Sequence, residues 1–422
     1  MPGTIVMKFG GTSVADAERL RNAARRIVQK REQGQRVVAV LSARGKTTDE
    51  LIAMAEEVSP APAPRELDML LSAGERISCA LCAMAINDLG HRAISMTGSQ
   101  AGIVTDTSHT KARILDVRAD RIRSALEEDS IVLVAGFQGV STARDVTTLG
   151  RGGSDTTAVA VAAALEAEVC EIYTDVAGVY SADPRIVPQA RLLPVLSFEE
   201  MLEMAASGAG VLQLRSVEYA RNHGVRIHCR SSFEDRPGTV VVSEIETMEH
   251  PLITAVTHST GEARVTLLGV PDKPGVAARI FGALADADVN VDMIIQSEPA
   301  GEGSSAEVSF TVPRDDLRVS RQTLEGLAPE LGISSIVTDE EMGKVSIVGA
   351  GMRSHPGVAA KVFTVLGDEE INIEMISTSP IKISCVIGGE HVPRAVRALH
   401  SAFELSGDGT EQPEEPFRPP GQ

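Results

Sequence analysis

The sequence predicts an α/β protein, a mainly parallel sheet covered on both faces by helices, followed by two small ferredoxin-like α+β units. Three observations predict it. In the first half, short Val-, Ile- and Ala-rich runs alternate with stretches of helical period, as expected of strands buried on both faces. In the second half, residues 272–294 align without gaps to 354–376, and 11 of the 23 positions are identical, the mark of an internal duplication. The chain is also 422 residues long, which at ~150 residues per domain calls for two or three domains.

The elements follow in order. Thr4–Phe9 reads as a strand that runs into Gly10-Gly11-Thr12-Ser13, and residues 15–33 as a charged amphipathic helix. Residues 36–42 form a second, Val-rich strand, and a short helix lies near 49–57. The alternating prolines of 59–64 break the chain, and 66–89 then reads as one long helix. Residues 131–135 and 169–173 look like buried strands, with an apolar helix at 158–165 between them. Around 231–251, Pro237-Gly238 and the acidic Glu244, Glu246 and Glu249 mark a domain boundary.

Beyond it, each copy of the repeat follows a strand (264–270 and 344–350). Each then opens a helix with Pro-Gly, proline being suited to the first turn, and enters an Asn-containing strand. The copies start 82 residues apart, too far for a solenoid, and each fits a strand–helix–strand–strand unit of ferredoxin-like type. The expected division is 1–245, 262–340 and 341–405. The tail 406–422, rich in Pro, Gly and Glu, is expected to be disordered.

Composition narrows the function. Hydrophobic residues make up 43% of the chain but aromatics only 3%, so the cores must be aliphatic. A net charge of −18 argues against a nucleic-acid partner, while leaving room for a local cationic pocket that takes a small anion. Five cysteines are an odd, sparse set, which points to a reducing, cytoplasmic setting rather than a disulfide framework. The nearest apolar run, 158–165, is far short of the ~20 residues that cross a membrane. The N-terminus reads as a strand and not as a signal segment. Cys79-x-x-Cys82, together with Met201, Leu202 and Met204, reads as core, and the nine His show no metal-ligand spacing.

Four clusters could carry chemistry. In Lys8-Phe9-Gly10-Gly11-Thr12-Ser13 a strand delivers a lysine and two glycines allow a ligand close to the backbone. The following helix then offers its N–H groups to an anion. In Gly150-Arg151-Gly152-Gly153-Ser154-Asp155, Ser154 or Asp155 suits a helix cap, but capping leaves unexplained an arginine held between glycines. Its planar fork suits a carboxylate. The segment 173–185 leaves a strand through turn residues, which sets Asp175, Tyr180 and Arg185 at a sheet edge where ligands bind in open α/β sheets. Glu75 lies within the long helix 66–89; from the sequence alone it reads as a solvated charge or as a partner of Arg76 or Arg65.

Taken together, Lys8–Ser13, Gly150–Asp155, Thr174–Arg185 and the doubled C-terminal unit resemble the aspartokinase family, in order and across nearly the whole chain. The resemblance implies an αβα-sandwich amino-acid-kinase domain followed by two ACT modules. It implies transfer of the γ-phosphoryl group of ATP, with Mg²⁺, to the β-carboxylate of L-aspartate. That is the first step toward lysine, threonine, methionine and isoleucine.

By the same resemblance Lys8 supplies positive charge to the transferring group, and Asp155 orients Lys8. Phe9, Gly10 and Gly11 admit the phosphates, and Thr174, Asp175, Tyr180 and Arg185 hold the nucleotide. Arg151 clamps the α-carboxylate of aspartate with Ser154 beside it, Glu75 takes the ammonium, and Thr48 with Ser42 holds the β-carboxylate. No metal ligand among the protein side chains is implied. Threonine or lysine as effector would sit where the modules pair, near Asp272, Asn290, Asp292, Gln296 and Asn372. The partner would be a second copy joined through the ACT modules, or a short chain started internally at Met248 in an α₂β₂ assembly.

The chain departs from the family in two places. In Ser207-Gly208-Ala209-Gly210-Val211-Leu212, Gly210 stands where a nucleotide-contacting lysine is common; Arg44 and Lys46 are expected to replace part of that charge. Gln296 is followed by Ser297, where Asn is frequent. Two other readings stay open. One is a kinase for another acidic amino acid, since Arg151 and Glu75 recognise only a generic amino-acid head. The other is an amino-acid sensor with weak kinase activity.

Overall fold

The computed structural model describes residues 3–243, 252–297 and 306–407. Met248 and the acidic stretch 244–249 fall outside them, as does 408–422 of the expected tail. Ser406, where that tail was expected to begin, pairs with Ala190.

The N-terminal domain is built on an eight-stranded sheet. Its order is Val195–Ser197, Thr239–Val242, Ile227–Ser231, Val169–Thr174, Thr4–Phe9, Arg36–Leu41, Ile131–Ala135 and Ala93–Met96. All neighbours are parallel except Ile227–Ser231 and Thr239–Val242. Alternation along the first strand explains the layers. Ile5, Met7 and Phe9 face the helices Ala17–Glu32 and Ala73–Asp88, whereas Val6 faces the helices Gly153–Ala164, Phe198–Ala206 and Leu214–His223. Lys8 shares the face of Val6, so a cation enters the second layer.

Ala17–Glu32 is an amphipathic helix capped by Asp16, which accepts from the Arg19 N–H at 2.9 Å. It buries Leu20, Ala23, Ala24, Ile27 and Val28 on one stripe; Leu20 and Ile27 each stabilise by about 2 kcal/mol. The expected long helix 66–89 is two, Pro64–Leu71 and Ala73–Asp88. At the break the Ser72 hydroxyl donates to the Met69 carbonyl (2.9 Å), and the Ser72 carbonyl accepts from Gln138 Nε2 (2.8 Å). By length and composition the stretch Pro64–Asp88 would suffice to cross a membrane, a longer apolar stretch than 158–165. Here its second half is fitted into the domain, where Cys79, Cys82 and Ile86 join the core.

The first C-terminal module runs Glu262–Val270, Val276–Asp286, Asp292–Ser297, Ala306–Pro313, Leu317–Leu331, Ser335–Asp339, a βαββαβ unit with an antiparallel sheet. The second repeats it with Met342–Val348, Val358–Asp368, Met375–Ser379, Lys382–Gly388 and Val392–Ala402. Its outer strand, Ala255–Ser259, comes from before the first module. A boundary at 341 therefore encloses only three of its four strands. Ala255 and Val256 are fully buried, and their burial holds the strand there. In each repeat the Pro-Gly proline precedes the helix instead of entering its first turn. Gly275 (φ 94°) and Gly357 (φ 97°) are the caps, and their left-handed backbone is what selects glycine.

The domains meet at specific polar contacts. Ser181 bonds His400 Nε2 (2.9 Å) and donates to the Leu405 carbonyl (3.1 Å). Glu203 pairs with Lys382 (2.8 Å) and accepts from Ser379 (3.0 Å). Lys111 pairs with Asp288.

Candidate active site

The chain order reverses at the strand Thr4–Phe9, with Arg36–Leu41 on one side and Val169–Thr174 on the other, and the C-terminal edge at such a point is a ligand crevice. The Gly10 N–H bonds the Tyr173 carbonyl (3.2 Å) and so joins the two strand ends. Gly11 lies so near the next loop that a Cβ there would come within 2.9 Å of the Ala43 carbonyl oxygen. The turn that follows is a four-residue 3₁₀ segment, Gly11–Val14, and not yet the long helix. Phe9 is buried and stacked on Tyr173 with ring centroids 4.8 Å apart.

Lys8 reaches across this edge to Asp155, Nζ to Oδ1 2.5 Å, with side chains only 12% and 8% exposed. Neither Ser154 nor Asp155 caps the helix Gly153–Ala164. Gly152, left-handed at φ 71°, takes that position and frees Asp155 for the lysine. Ser154 packs against Gly136, where a Cβ would fall 2.7 Å from the Ser154 hydroxyl. Arg151 is exposed and, among the described residues, has no ion-pair partner.

Glu75 corrects a sequence expectation. It is 3% exposed and is neither solvated nor paired with Arg65 or Arg76. Arg65 bonds Glu66 and Asp145, and Arg76 donates to Gln138. Gly74 packs directly on Ala43, which brings the helix Ala73–Asp88 against the loop after Leu41; the Ala43 N–H donates to Glu75 Oε1 at 3.1 Å. Oε2 is buried without a hydrogen-bond partner among the described residues. Burial is the main cause that raises the Glu75 pKa to about 7; N–H donors and Arg76 oppose it. Ser42 continues the strand beside it, bonded to the Phe9 carbonyl (3.1 Å), and Thr48 lies in the first turn of Thr47–Val58.

On the other side of the crevice, Thr174 Oγ1 donates to Asp175 (3.1 Å), and Ser232 bonds both the Thr174 carbonyl (2.8 Å) and Ser13 (2.6 Å). Tyr180 pairs with Leu192 along the main chain. Arg185 is exposed and forked onto Asp183, with contacts of 2.7–3.1 Å. Of the effector residues, Asp292 is tied to the other module through Lys344 (2.9 Å), while Asp272, Asn290, Gln296 and Asn372 are exposed.

Sequence reasoning passed over three residues. Asp68 is fully buried. It accepts from Thr148 Oγ1 (2.5 Å) and the Thr110 N–H (3.1 Å) and pairs with His109 (2.6 Å). Arg215 holds two main-chain carbonyls, and Lys344 is a buried cation. A charge inside an otherwise apolar stripe was the available signal for Asp68; the other two carried none.

A desolvated lysine–aspartate pair at a switch point, a buried carboxylate and an unpaired arginine, backed by paired ferredoxin-like modules, define a phosphoryl-transferring kinase with a regulatory half. The profile of the amino acid kinase family matches residues 3–231, and ACT domains match 264–328 and 345–403. The chain is 57% identical over 407 residues to an aspartokinase of Mycolicibacterium smegmatis, covering 96% of this chain and 97% of that one. It is 54% identical over the same shares to the aspartokinase of Corynebacterium glutamicum. The structure of E. coli aspartokinase III in complex with aspartate and ADP superposes with a TM-score of 0.82 at 27% identity, covering 94% of this chain and 99% of that one. The same enzyme with lysine and aspartate gives 0.73. The chain belongs to the aspartokinase family and is an aspartate kinase.

The raised Glu75 pKa carries a pH dependence. A carboxyl that titrates near 7 in the fold and lower in the unfolded chain adds stability below its unfolded value, and that stability is lost as pH rises through about 7. If the substrate ammonium binds Glu75, as the family resemblance implies, the ionised form is the one that takes it, and the KM for aspartate should fall as pH rises through this range. In Glu75→Gln it should be higher and flat with pH. A wild-type KM unchanged across neutral pH would rule out Glu75 as the ammonium acceptor.

Proposed function

We propose that the protein transfers the γ-phosphoryl group of MgATP to the β-carboxylate of L-aspartate, giving 4-phospho-L-aspartate at the head of lysine, threonine, methionine and isoleucine synthesis. The observation that carries this reading is the Lys8–Asp155 pair at the switch point. The acceptor, with a reference pKa of about 3.9, is already ionised, so no general base is required. The barrier is the meeting of two anions, and positioning plus fixed positive charge is what lowers it.

Lys8, immobilised by Asp155, meets the charge developing on the phosphoryl oxygens. Arg151 takes the α-carboxylate with Ser154 beside it, Glu75 the ammonium through its unbonded oxygen, and Thr48 with Ser42 the β-carboxylate end. Gly10, Gly11, Thr174, Asp175, Tyr180 and Arg185 hold the nucleotide; Arg185 would have to share Asp183 to do so. Mg²⁺ would arrive on the nucleotide phosphates, where it would shield their charge.

Regulation by threonine or lysine would act through the pairing of the ACT modules by favouring one domain arrangement. A homodimer or an α₂β₂ assembly follows from the same modules. Five buried free thiols support a reducing, cytoplasmic setting.

The test is ADP release with aspartate, glutamate and related acids, with and without threonine and lysine. Turnover with aspartate well above the other acids is expected. Faster turnover with another acid, or tight effector binding without turnover, would replace this reading with one of its two competitors.

Gly210 bears on ATP affinity. A Cβ there would meet nothing within 4 Å, so a longer side chain fits. Arg44 already donates to the Ala15 carbonyl (3.1 Å), which leaves the exposed Lys46 as the freer cation of that loop. Gly210→Lys is expected to lower the KM for ATP and Lys46→Ala to raise it. No change in either would end the idea that Lys46 stands in for the missing lysine.

A further inference from the structure

The loop that carries Arg151 has little support of its own. Gly150 and Gly152 are both left-handed, Arg151 is exposed, and within the loop only the Gly153 N–H to Gly150 carbonyl bond (3.0 Å) closes it. Its placement comes from outside. On one flank, Asp68 fastens Thr148 and the 109–110 segment, and the Ala112 N–H bonds the Thr148 carbonyl (2.9 Å). On the other flank stands Arg215, at the start of Leu214–His223. Its Nη1 donates to the Leu149 carbonyl (3.0 Å) and its Nη2 to the Ala112 carbonyl (2.8 Å). Gln213, two residues earlier, is pressed on Gly152 so closely that a Cβ there would fall 2.0 Å from it.

We propose that Arg215 is a positioning residue for the acidic substrate: its fork spans two main-chain carbonyls and holds the loop so that Arg151 points its guanidinium at the substrate carboxylate. Arg215 touches no substrate. It works because a rigid planar fork fixes the directions of its two donors, whereas an ammonium on a flexible stem would hold the same two carbonyls in a less defined geometry. The proposal rests on the reading of Arg151 as the carboxylate clamp.

Arg215→Ala, Arg215→Lys and Arg151→Ala test it, with KM for aspartate and for ATP, kcat and melting temperature measured for each. Loss of two hydrogen bonds that order a binding loop should raise the aspartate KM of Arg215→Ala roughly ten- to thirty-fold, with the ATP KM changed less than about two-fold. Arg215→Lys should fall between. Added guanidinium ion should recover part of the aspartate affinity of Arg215→Ala and none of that of wild type. If Arg215→Ala does not fold, the Lys variant alone decides the matter. An unchanged aspartate KM in a folded variant, or equal rises for both substrates, would show a merely structural role and overturn the proposal. A normal aspartate KM in Arg151→Ala would instead remove the clamp reading beneath it, and the proposal with it.

Discussion

Replacing Lys8 by Met is expected to cut kcat roughly a thousand-fold, about 4 kcal/mol of transition-state stabilisation. The side chain is almost desolvated, so its charge acts at short range in a medium that screens it poorly. It needs no reorganisation during the reaction, because Asp155 holds it at 2.5 Å from a helix fixed against the same sheet. Lys8→Met also strands a buried carboxylate, so some loss of stability is expected alongside. Asp155→Asn keeps the shape, removes that burden, and should itself lower kcat. The double variant should be little worse than Lys8→Met, because the two residues act as one unit. Steady-state rates for the two single variants and the double variant decide it. A folded Lys8→Met enzyme within ten-fold of wild type would remove Lys8 from the chemistry.

The second large effect lies in the regulatory half. Lys344 is 2% exposed and stands between Glu262 (2.6 Å) and Asp292 (2.9 Å), both in the first module while it belongs to the second. Burial pulls its pKa down, yet the two carboxylates outweigh burial and raise it overall. For Asp292, burial acts upward and the lysine charge prevails, leaving it low. Around the pair, Arg264 bridges to Glu374 (2.6 Å), and Met293, Met342, Met375 and Val386 form a small shared core.

Lys344→Met leaves two acids facing each other at this seam. A loss of about 2–4 kcal/mol is expected, less than for a fully enclosed pair because Asp292 is half exposed. The lower urea midpoint should appear in the transition of the regulatory region. A depressed Asp292 pKa gives stability that is present at neutral pH and lost as pH falls below about 4. The wild-type seam should therefore weaken in acid and the variant should not follow it. An unchanged midpoint in Lys344→Met would show that the cation contributes nothing to module pairing.

Much of this was open to reading along the chain because it is local. Continuous apolar runs marked Thr4–Phe9 and Arg36–Leu41, which are buried on both faces, and a 3.6-residue period marked Ala17–Glu32, which buries one stripe, each to within two residues. Gly11, Gly150 and Gly152 announced themselves because a residue without a Cβ records a close approach or a left-handed backbone. The duplication showed the two modules, and spacing with residue type singled out Lys8, Arg151 and Asp155.

Long-range packing decided the rest. Glu75 reads as a surface charge until Gly74 is seen against Ala43, which buries it and sets its pKa near 7. The break of the long helix at Ser72 coincides with a bond to its carbonyl from Gln138, far along the chain. The strand Ala255–Ser259 belongs to the second module although it precedes the first, because its hydrogen bonds run to Met342–Val348. Arg215 and Lys344 resemble other charges in the sequence; only their partners, 66 and 82 residues away for the nearer carbonyl and the Glu262 carboxylate, give them work. The sequence by itself determined the class of protein and drew attention to the Lys8–Ser13 and Gly150–Asp155 clusters, since those depend on strand, turn and glycine chemistry at short range. Which acid is buried, which loop is held and how the modules interlock were decided by the tertiary structure, because burial and charge pairing depend on neighbours that local order does not name.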